Sequence, residues 1–384
     1  MRQAALIYSD DLATHVLSDE HPMRPIRLSY MHELASAAGF LDAPNSRTVA
    51  PRPASDEELT LAHSAEYVEA VKQLGSSDGL GIAARYGFGP GDNPVYPGIF
   101  GAQALAAGSA MVAAEQIAGD VDVAFAPAGG LHHAMPGRAS GFCVFNDPVM
   151  VIRSLAAKGL RVAYVDIDCH HGDGVQHAFY DTDAVLTISL HESGQFLFPG
   201  TGFTNETGAG AGDGFSANLP LAPYTGDEDY ARAFDAIVPP LVRAFEPDVL
   251  VTQLGIDTHM LDPITHLRLT AQGFAGTVAK LGALAGDSRK GESCKWIALG
   301  GGGYDLGAVA RGWAMAYAVM SEQDIPDRIP ESFNSPGDST RNQREFADPL
   351  PPELEEAVRN QISAFADRSI EQLQALLFPV FGIS

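Results

Sequence analysis

Short apolar runs alternate with longer helical patterns along the chain, and this alternation predicts an α/β fold: a mostly parallel sheet with helices on both faces. Five runs have the length and partly β-branched composition of strands, at residues 121–126, 161–166, 184–190, 248–254 and 295–299. Ala-rich or amphipathic segments at 98–118, 149–158, 227–245, 271–285 and 308–320 read as crossover helices, with Pro239-Pro240 predicting a kink or break in the third. No internal repeat, low-complexity tract or long polar linker divides the chain, so one domain over residues 1–384 is the simplest organisation. From Pro326 onward, prolines and charges lead into an apparent helix at 353–377. This gives a core of about residues 1–330 and a helical extension of about 326–384. The pattern leaves open whether that helix packs on the body or on a second subunit, and with it the oligomeric state.

Composition sharpens the picture in three ways. With 46% hydrophobic and 19% charged residues, the chain can bury a sizeable core. Its 48 acidic against 24 basic residues give a formal charge of −24, which repels nucleic-acid phosphates and anionic lipid surfaces and attracts a cationic substrate. The same acidity also reads simply as a solvated surface. Cys143, Cys169 and Cys294 show no C-x-x-C spacing, which argues against a disulfide framework or a cysteine zinc site and points to a reducing cytoplasm. The apolar run near the amino terminus, Ala4-Ala5-Leu6-Ile7, is too short for a signal-peptide core, and no stretch approaches a membrane span. No nucleic acid or membrane is therefore expected as a partner.

The chemistry is concentrated where predicted strands end. Residues 121–126 lead to Gly129-Gly130-Leu131-His132-His133, and 161–166 lead to Asp166-Ile167-Asp168-Cys169-His170-His171-Gly172-Asp173-Gly174. Residues 248–254 lead to Gly255-Ile256-Asp257, and 295–299 to Gly300-Gly301-Gly302-Gly303-Tyr304. Open parallel sheets place active sites at carboxyl strand ends. Asp166, Asp168 and His170 share one face by the strand period of two, while Ile167 and Cys169 face away. Asp168 and His170 are thus the first metal-ligand candidates, with Asp257 as the third. Three protein ligands leave a divalent ion open to water and substrate. Read singly, the aspartates could cap a helix and His170 could be a satisfied core histidine, but carboxylates ending an apolar strand are costly without a cation.

His132 and His133 can supply the base that takes a proton from water and the acid that gives one to a leaving amine. Asp166 and Asp173 are available to set their tautomers. Tyr304, after four glycines, can approach such a metal and donate to a developing oxyanion. A phosphate loop is the alternative for the glycines, but no Lys-Ser/Thr follows them, and Gly208-Ala209-Gly210-Ala211-Gly212 is a flexible loop by the same test.

Gly-Leu-His-His-Ala, Gly-Phe-Cys-Val-Phe-Asn-Asp, Val-Asp-Ile-Asp-Cys-His-His-Gly-Asp-Gly and Gly-Gly-Gly-Gly-Tyr, in this order, resemble the histone deacetylase superfamily from about His21 to about Pro330. His21-Pro22-Met23-Arg24-Pro25-Ile26-Arg27 and Leu197-Phe198-Pro199-Gly200-Thr201-Gly202 look like class I enzymes and bacterial acetoin-utilization deacetylases. The resemblance implies an arginase/deacetylase-like fold around an eight-stranded sheet, with zinc or ferrous iron on Asp168, His170 and Asp257. It implies His132 paired with Asp166, His133 paired with Asp173 as general acid-base, and Tyr304 polarising the acyl carbonyl. Phe142 and Phe198 match the walls of an acyl-lysine tunnel with Gly141 beside them, and Asp92 matches a rim carboxylate that holds the substrate backbone; the bland alternative makes both phenylalanines ordinary core residues. Potassium or sodium would be held by Asp166, Asp168, His170, Ser189 and Leu190, and a second such ion by Phe179, Thr182, Val185 and Phe215. Arg27 matches the arginine of an internal cavity below the metal.

The implied activity is removal of acetyl or short acyl groups from lysines of proteins or peptides. Deacetylation of acetylpolyamines or other small N-acetyl amines is the rival. Ile264, where polyamine-selective relatives place a glutamate, favours acyl-lysine. A non-catalytic acyl-lysine binding module is the alternative of another class, but its economy would be to lose a ligand or Tyr304, and none is missing. The sequence departs from the common pattern at Ile256, where alanine is common, and at Asp305, where asparagine is.

Overall fold

The computed structural model describes residues 1–18, 20–74, 81–287, 294–333 and 343–383. Its eight strands are β1 (Ala4–Ile7), β2 (Ser46–Val49), β3 (Val123–Ala126), β4 (Val162–Asp166), β5 (Val185–Glu192), β6 (Ser216–Leu221), β7 (Val249–Gln253) and β8 (Lys295–Leu299). They form one sheet in the order β2-β1-β3-β8-β7-β4-β5-β6, every neighbouring pair parallel. The α-helices are α1 (Ile26–Ala37), α2 (Asp56–Leu59), α3 (Ala65–Leu74), α4 (Ile99–Ile117), α5 (Asp147–Ala156), α6 (Asp173–Phe179), α7 (Asp227–Phe245), α8 (Ala271–Gly286), α9 (Leu306–Met320) and α10 (Glu356–Leu377).

Strand side chains alternate between two cores. Leu6, Phe125, Val165, Ile188, Leu250 and Trp296 pack under α1, α7, α8 and α9, whereas Ile7, Ala126, Tyr164, Val185, Val251 and Leu299 pack under α3, α4 and α5. Each fully buried Leu, Ile, Val or Phe contributes roughly 1.5–3 kcal/mol, and burial on both faces is why these strands read as continuous apolar runs.

The five predicted strands appear as β3, β4, β5, β7 and β8, with small shifts at their ends. The strands the pattern does not reveal, β1, β2 and β6, lie toward the sheet edges. β2 is a partly exposed Ser-Arg-Thr-Val, and β6 contains Pro220, tolerated at an edge where one N–H needs no ladder partner.

The predicted break in α7 does not occur: the helix runs unbroken through Pro239 and Pro240. Its buried stripe Phe234, Ile237, Val238, Leu241, Val242 and Phe245 offsets the proline penalty. The Ala236 carbonyl, which Pro240 cannot engage, accepts from Gln374 Nε2 of α10 at 3.4 Å. α10 packs on the body, with Ser369 Oγ donating to the Pro220 carbonyl at 2.8 Å and Ser363 Oγ to Asp229 Oδ2 at 3.0 Å.

Candidate metal centre and active site

The strands that end in polar clusters, β3, β8, β7 and β4, are four consecutive neighbours in the sheet, so their loops emerge side by side. Asp168, His170 and Asp257 meet there, buried, with one ligand atom from each within 4.8 Å of the others. His170 Nδ1 lies 3.0 Å from Asp168 Oδ1 and 2.9 Å from Asp257 Oδ2. Burial and the charge of Asp168 push Asp257 up to about 7. Asp168, which burial alone would raise, is held well below the carboxylate range by His132 and His170. Burial disfavours charge on His170, yet hydrogen bonds to both carboxylates hold its pKa well above the ordinary value. Two buried carboxylates sharing one imidazole make a pocket of negative potential, and an oxygen/nitrogen donor set of this kind suits a divalent cation.

Partners that the sequence motifs do not identify orient these ligands. Asp168 Oδ2 accepts from Gln253 Nε2 and from the Gly302 N–H, both at 2.7 Å, and Asp257 Oδ1 accepts from the Cys169 N–H at 2.7 Å. Gln253 ends β7, where a polar residue two positions before Gly255 was the available signal. Glycine is required at 302 because a Cβ there would collide with the Asp257 carboxylate. Ile256 takes the space left by Gly312 of α9, which accommodates one departure from the common pattern. Asp305, the other, caps α9 by accepting from the Ala308 N–H at 2.8 Å, as asparagine also can.

Each histidine of the pair has its own carboxylate. His132 Nδ1 is 2.7 Å from Asp166 Oδ2 and His133 Nδ1 is 2.7 Å from Asp173 Oδ1, while the two Nε2 atoms are 2.9 Å apart. With both Nδ1–H groups donating to carboxylates, the Nε2 contact needs one further proton, so the pair holds one imidazolium and one imidazole. Burial opposes charge on His132, but Asp166 and Asp168 raise its pKa to about 9; burial and the charge of His132 lower His133 to about 4. Asp166 also accepts from Tyr164 Oη at 2.7 Å, two residues back on the same strand face. Asn146, the N-cap of α5, donates from Nδ2 to the carbonyls of His132 and Ala134. Asp147 accepts from the N–H groups of Gly130 and Leu131, which holds the loop from below.

Tyr304 follows the glycine strap, with Phe142 against its ring. Its N–H donates to Asp262 Oδ2 at 2.9 Å, and burial, then the charges of Asp257 and Asp168, keep its phenol protonated far above neutrality. Asp262 is a further residue the motifs do not single out. Beneath the glycine strap, the buried Arg27 donates to the carbonyls of Gly301 and Gly303, both at 2.7 Å, and stacks 5.0 Å from the Trp313 ring.

The rim residues also converge. Gly141 and Phe142 occupy the corner of a hairpin bridged by Ser140 and Cys143, both with positive φ (51° and 68°). A Cβ at Gly141 would sit 2.5 Å from His133 Cδ2 and 2.9 Å from Phe198 Cε1. The Phe142 ring meets Tyr304 edge-on at 5.6 Å, and Phe198, 42% exposed, meets His133 at 5.0 Å. Neither phenylalanine is an ordinary core residue. Asp92 is exposed, and its backbone carbonyl accepts from His21 Nε2. Ile264 lies half-buried in the loop after Asp257, between Asp262 and Thr265, and its N–H donates to Asp262 Oδ1 at 3.1 Å.

For the first monovalent ion, Asp166 pairs in register with Ser189, Leu190 follows on β5, and Asp168 and His170 lie in the loop after β4. Ser189 Oγ is already engaged with His191 Nδ1 at 2.8 Å. The residues expected for the second ion gather at the other end of β5, where the Phe179 and Phe215 carbonyls accept from the N–H groups of Thr182 and Thr187. Among the described residues, no helix is long and apolar enough to cross a membrane.

Comparison with known proteins gives the same answer as this geometry. The histone deacetylase domain family matches residues 21–320. The Acetoin utilization protein AcuC of Bacillus subtilis (strain 168) is 39% identical over 337 residues, covering 87% of this chain and 86% of that protein. The protein of the same name from Staphylococcus xylosus is 36% identical over 334 residues, 85% of each. A crystal structure of an HDAC homolog from Aquifex aeolicus superposes with a TM-score of 0.82 at 30% identity, covering 96% of this chain and all of that one. An HDAC homolog complexed with SAHA gives 0.82 at 31%, covering 96% and 99%. With four strand-end clusters joined in one pocket and this agreement along most of its length, the chain belongs to the histone deacetylase superfamily, in its acetoin-utilization branch, and is a deacetylase.

Proposed function

We propose that the protein is a zinc-dependent deacylase that removes acetyl or a similarly short acyl group from lysine side chains of a protein or peptide. The observation that carries this reading is the placement of both histidine–carboxylate pairs and Tyr304 around Asp168, His170 and Asp257, beneath a mouth flanked by Phe142 and Phe198. Zinc on Asp168, His170 and Asp257, with ferrous iron as the other candidate, supplies Lewis acidity toward the acyl carbonyl and the attacking water when bound.

The chain's own groups do the rest. The aliphatic stem of the lysine lies between the Phe142 and Phe198 rings, which exclude water from the reacting amide. Asp92 accepts backbone N–H bonds from the peptide and so sets the depth of insertion. His133, whose Nδ1–H is committed to Asp173, takes a proton from water at Nε2 once that atom turns from its contact with His132 Nε2, and returns it to the leaving amine. His132, anchored by Asp166, carries positive charge next to this transfer. Tyr304 Oη donates to the oxyanion as the carbonyl becomes tetrahedral. Free amine and acetate leave, with Arg27 in position to line the acetate's path.

Potassium or sodium at Asp166, Asp168, His170, Ser189 and Leu190 would stiffen the floor of the site. A second such ion would sit near Phe179, Thr182, Val185 and Phe215. The whole chain serves as one cytoplasmic deacetylase domain in this reading, the α10 extension packed on its core.

Assaying metal-reconstituted enzyme against acetyl-lysine peptides and against acetylated putrescine and spermidine tests the proposal. Acetyl-lysine peptides should be turned over better, and Asp92→Ala should cripple them while sparing small acetanilide-like amides. Far better turnover of acetylpolyamines than of every peptide would replace this reading with the small-amine one.

A further inference from the structure

Beside the mouth lies a groove of about 490 Å³ that shares Asp92, Gly141 and Phe198 with the proposed substrate site. Its walls are Ala84, residues 87–93 and 138–141 and Phe198, so it adjoins the mouth through which the proposed acyl-lysine would enter. We propose that Arg138, on the wall of this groove, reads a carboxylate that the substrate carries next to its acyl-lysine. The source would be an acidic side chain close in sequence or the α-carboxylate of a terminal acyl-lysine. The proposal rests on the acyl-lysine reading above and adds the substrate's charge to it.

Three observations carry it. First, the backbone presents Arg138 at a set position. Its N–H and C=O pair with Met135 at 3.3 and 2.9 Å across a Pro136-Gly137 turn, and the next N–H, of Ala139, donates to the Tyr86 carbonyl at 2.8 Å. This hairpin continues straight from His132-His133, so the backbone from which the Arg138 side chain extends is tied to the reacting centre by a short, hydrogen-bonded stretch of chain.

Second, Arg138 is exposed and has no carboxylate within 4 Å among the described residues, although the chain carries twice as many acidic as basic residues. Arg47, Arg52, Lys72 and Arg85 each meet a carboxylate, whereas Lys158, Arg328, Arg359 and Arg368 are exposed without one among the described residues, as Arg138 is; Arg138 is the one among these that lines the groove. A cation left unpaired in so negative a field is open for a partner from outside.

Third, Asp92 lines the same groove and forms no ion pair with Arg138. One wall therefore offers an acceptor for backbone N–H groups and the other a planar fork of donors suited to a carboxylate. A peptide lying between them has its direction set as well as its depth. The rest of the surface repels acidic substrates, and Arg138 supplies a local attraction where it affects binding of the reacting residue.

The test compares kcat/KM for acetyl-lysine peptides that differ only in residues flanking the lysine: Asp or Glu, Gln or Asn, and Lys. A second pair compares a carboxyl-terminal acetyl-lysine as free acid and as amide. Wild-type enzyme, Arg138→Glu and Arg138→Gln are measured at low and high salt, with thermal melting to check folding. For at least one of the two carboxylate sources, wild type should prefer the acidic member over its neutral counterpart roughly 2- to 5-fold, less at high salt. Arg138→Gln should remove that preference, and Arg138→Glu should reverse it in favour of basic flanks. The arm that shows the preference identifies the source of the carboxylate. Equal turnover of acidic and neutral peptides, or an acidic preference that survives Arg138→Glu, overturns the role of Arg138 while leaving lysine deacylation standing. Failure to turn over any acyl-lysine peptide overturns both.

Discussion

The His21 ring donates from Nε2 to the backbone carbonyl of Asp92 at 3.2 Å. Its Nδ1 accepts from the Met23 N–H at 3.0 Å, which assigns the tautomer, and its edge packs on Phe142 with ring centres 4.6 Å apart. One buried side chain thus ties the rim loop to a wall of the mouth. His21→Phe should keep the packing and lose the bond, leaving the Asp92 loop less ordered. With one hydrogen bond worth about 1 kcal/mol, KM for acetyl-lysine peptides should rise roughly fivefold, with kcat and the turnover of small amides much less affected. Steady-state kinetics on both substrate classes checks this, and an unchanged KM would detach His21 from substrate positioning.

Metal removal should abolish hydrolysis, with zinc, iron(II) or cobalt restoring it. The stripped protein should also melt at a lower temperature, because Asp168 and Asp257 then face each other with only His170 between them. Full activity after exhaustive chelation, with metal content verified, would sink the metal-dependent mechanism.

Tyr304→Phe should fold normally and bind metal, since the Tyr304 backbone and not its phenol is what Asp262 holds. Loss of one oxyanion donor should lower kcat by roughly 100- to 1000-fold. A rate within a few-fold of wild type would place Tyr304 outside the reacting centre.

Gly141→Ala should be damaging out of proportion to its size. The residue has a positive φ of 51°, and the added Cβ would press on both His133 and Phe198. A shift of His133 by a fraction of an ångström misplaces the nitrogen proposed to transfer the proton, so kcat should fall at least about tenfold, alongside a loss of roughly 1–3 kcal/mol in stability. Denaturant melts with parallel kinetics separate the two effects; wild-type values in both would mean that His133 and Phe198 do not flank this turn.

Asp348 offers a test away from the site. It is buried, its Oδ2 is 2.8 Å from His259 Nε2 and accepts from the Ala271 N–H at 2.7 Å, and its Oδ1 lies 2.7 Å from Arg311 Nη2. Burial works against the charge, but His259 and then Arg311 hold the carboxyl well below its usual range. A depressed folded-state pKa stabilises the protein above the unfolded value of about 3.9, and that contribution is lost as pH falls through the folded value. Asp348→Asn should cost roughly 3 kcal/mol at neutral pH, with the gap to wild type narrowing in acid below about pH 4. A gap that stays constant down to pH 2 would contradict the assigned pairing.

Much of the site was legible because its signals are local. A strand's period of two puts Asp166, Asp168 and His170 on one face whatever surrounds them. A run of glycines before Tyr304 and paired histidines after an apolar strand stand out in any window of ten residues. His21 and Asn146 lie in motifs that mark the family without stating what they bond, Gln253 is marked only as a polar residue ending an apolar strand, and Asp262 carries no such signal. Each is an ordinary polar residue whose role comes from a partner in another segment, as Gln253 reaches Asp168 and Tyr304 reaches back to Asp262.

The sequence by itself determined the class of fold, the strands buried on both faces and the chemistry at their ends, because apolar runs and their periodicity are written in consecutive residues. Only the tertiary structure decided that β3, β8, β7 and β4 are neighbours, which turns four separate clusters into one pocket. It also added the short edge strands β2 and β6, whose polar or proline-containing sequences form strands because a partner supplies the hydrogen bonds. The same holds for α7, where the proline penalty is a property of the segment, but the buried stripe and the Gln374 bond that offset it come from elements distant in the chain. Strand order, edge pairing and the survival of that helix depend on contacts between residues far apart in sequence, whose energies no local pattern encodes.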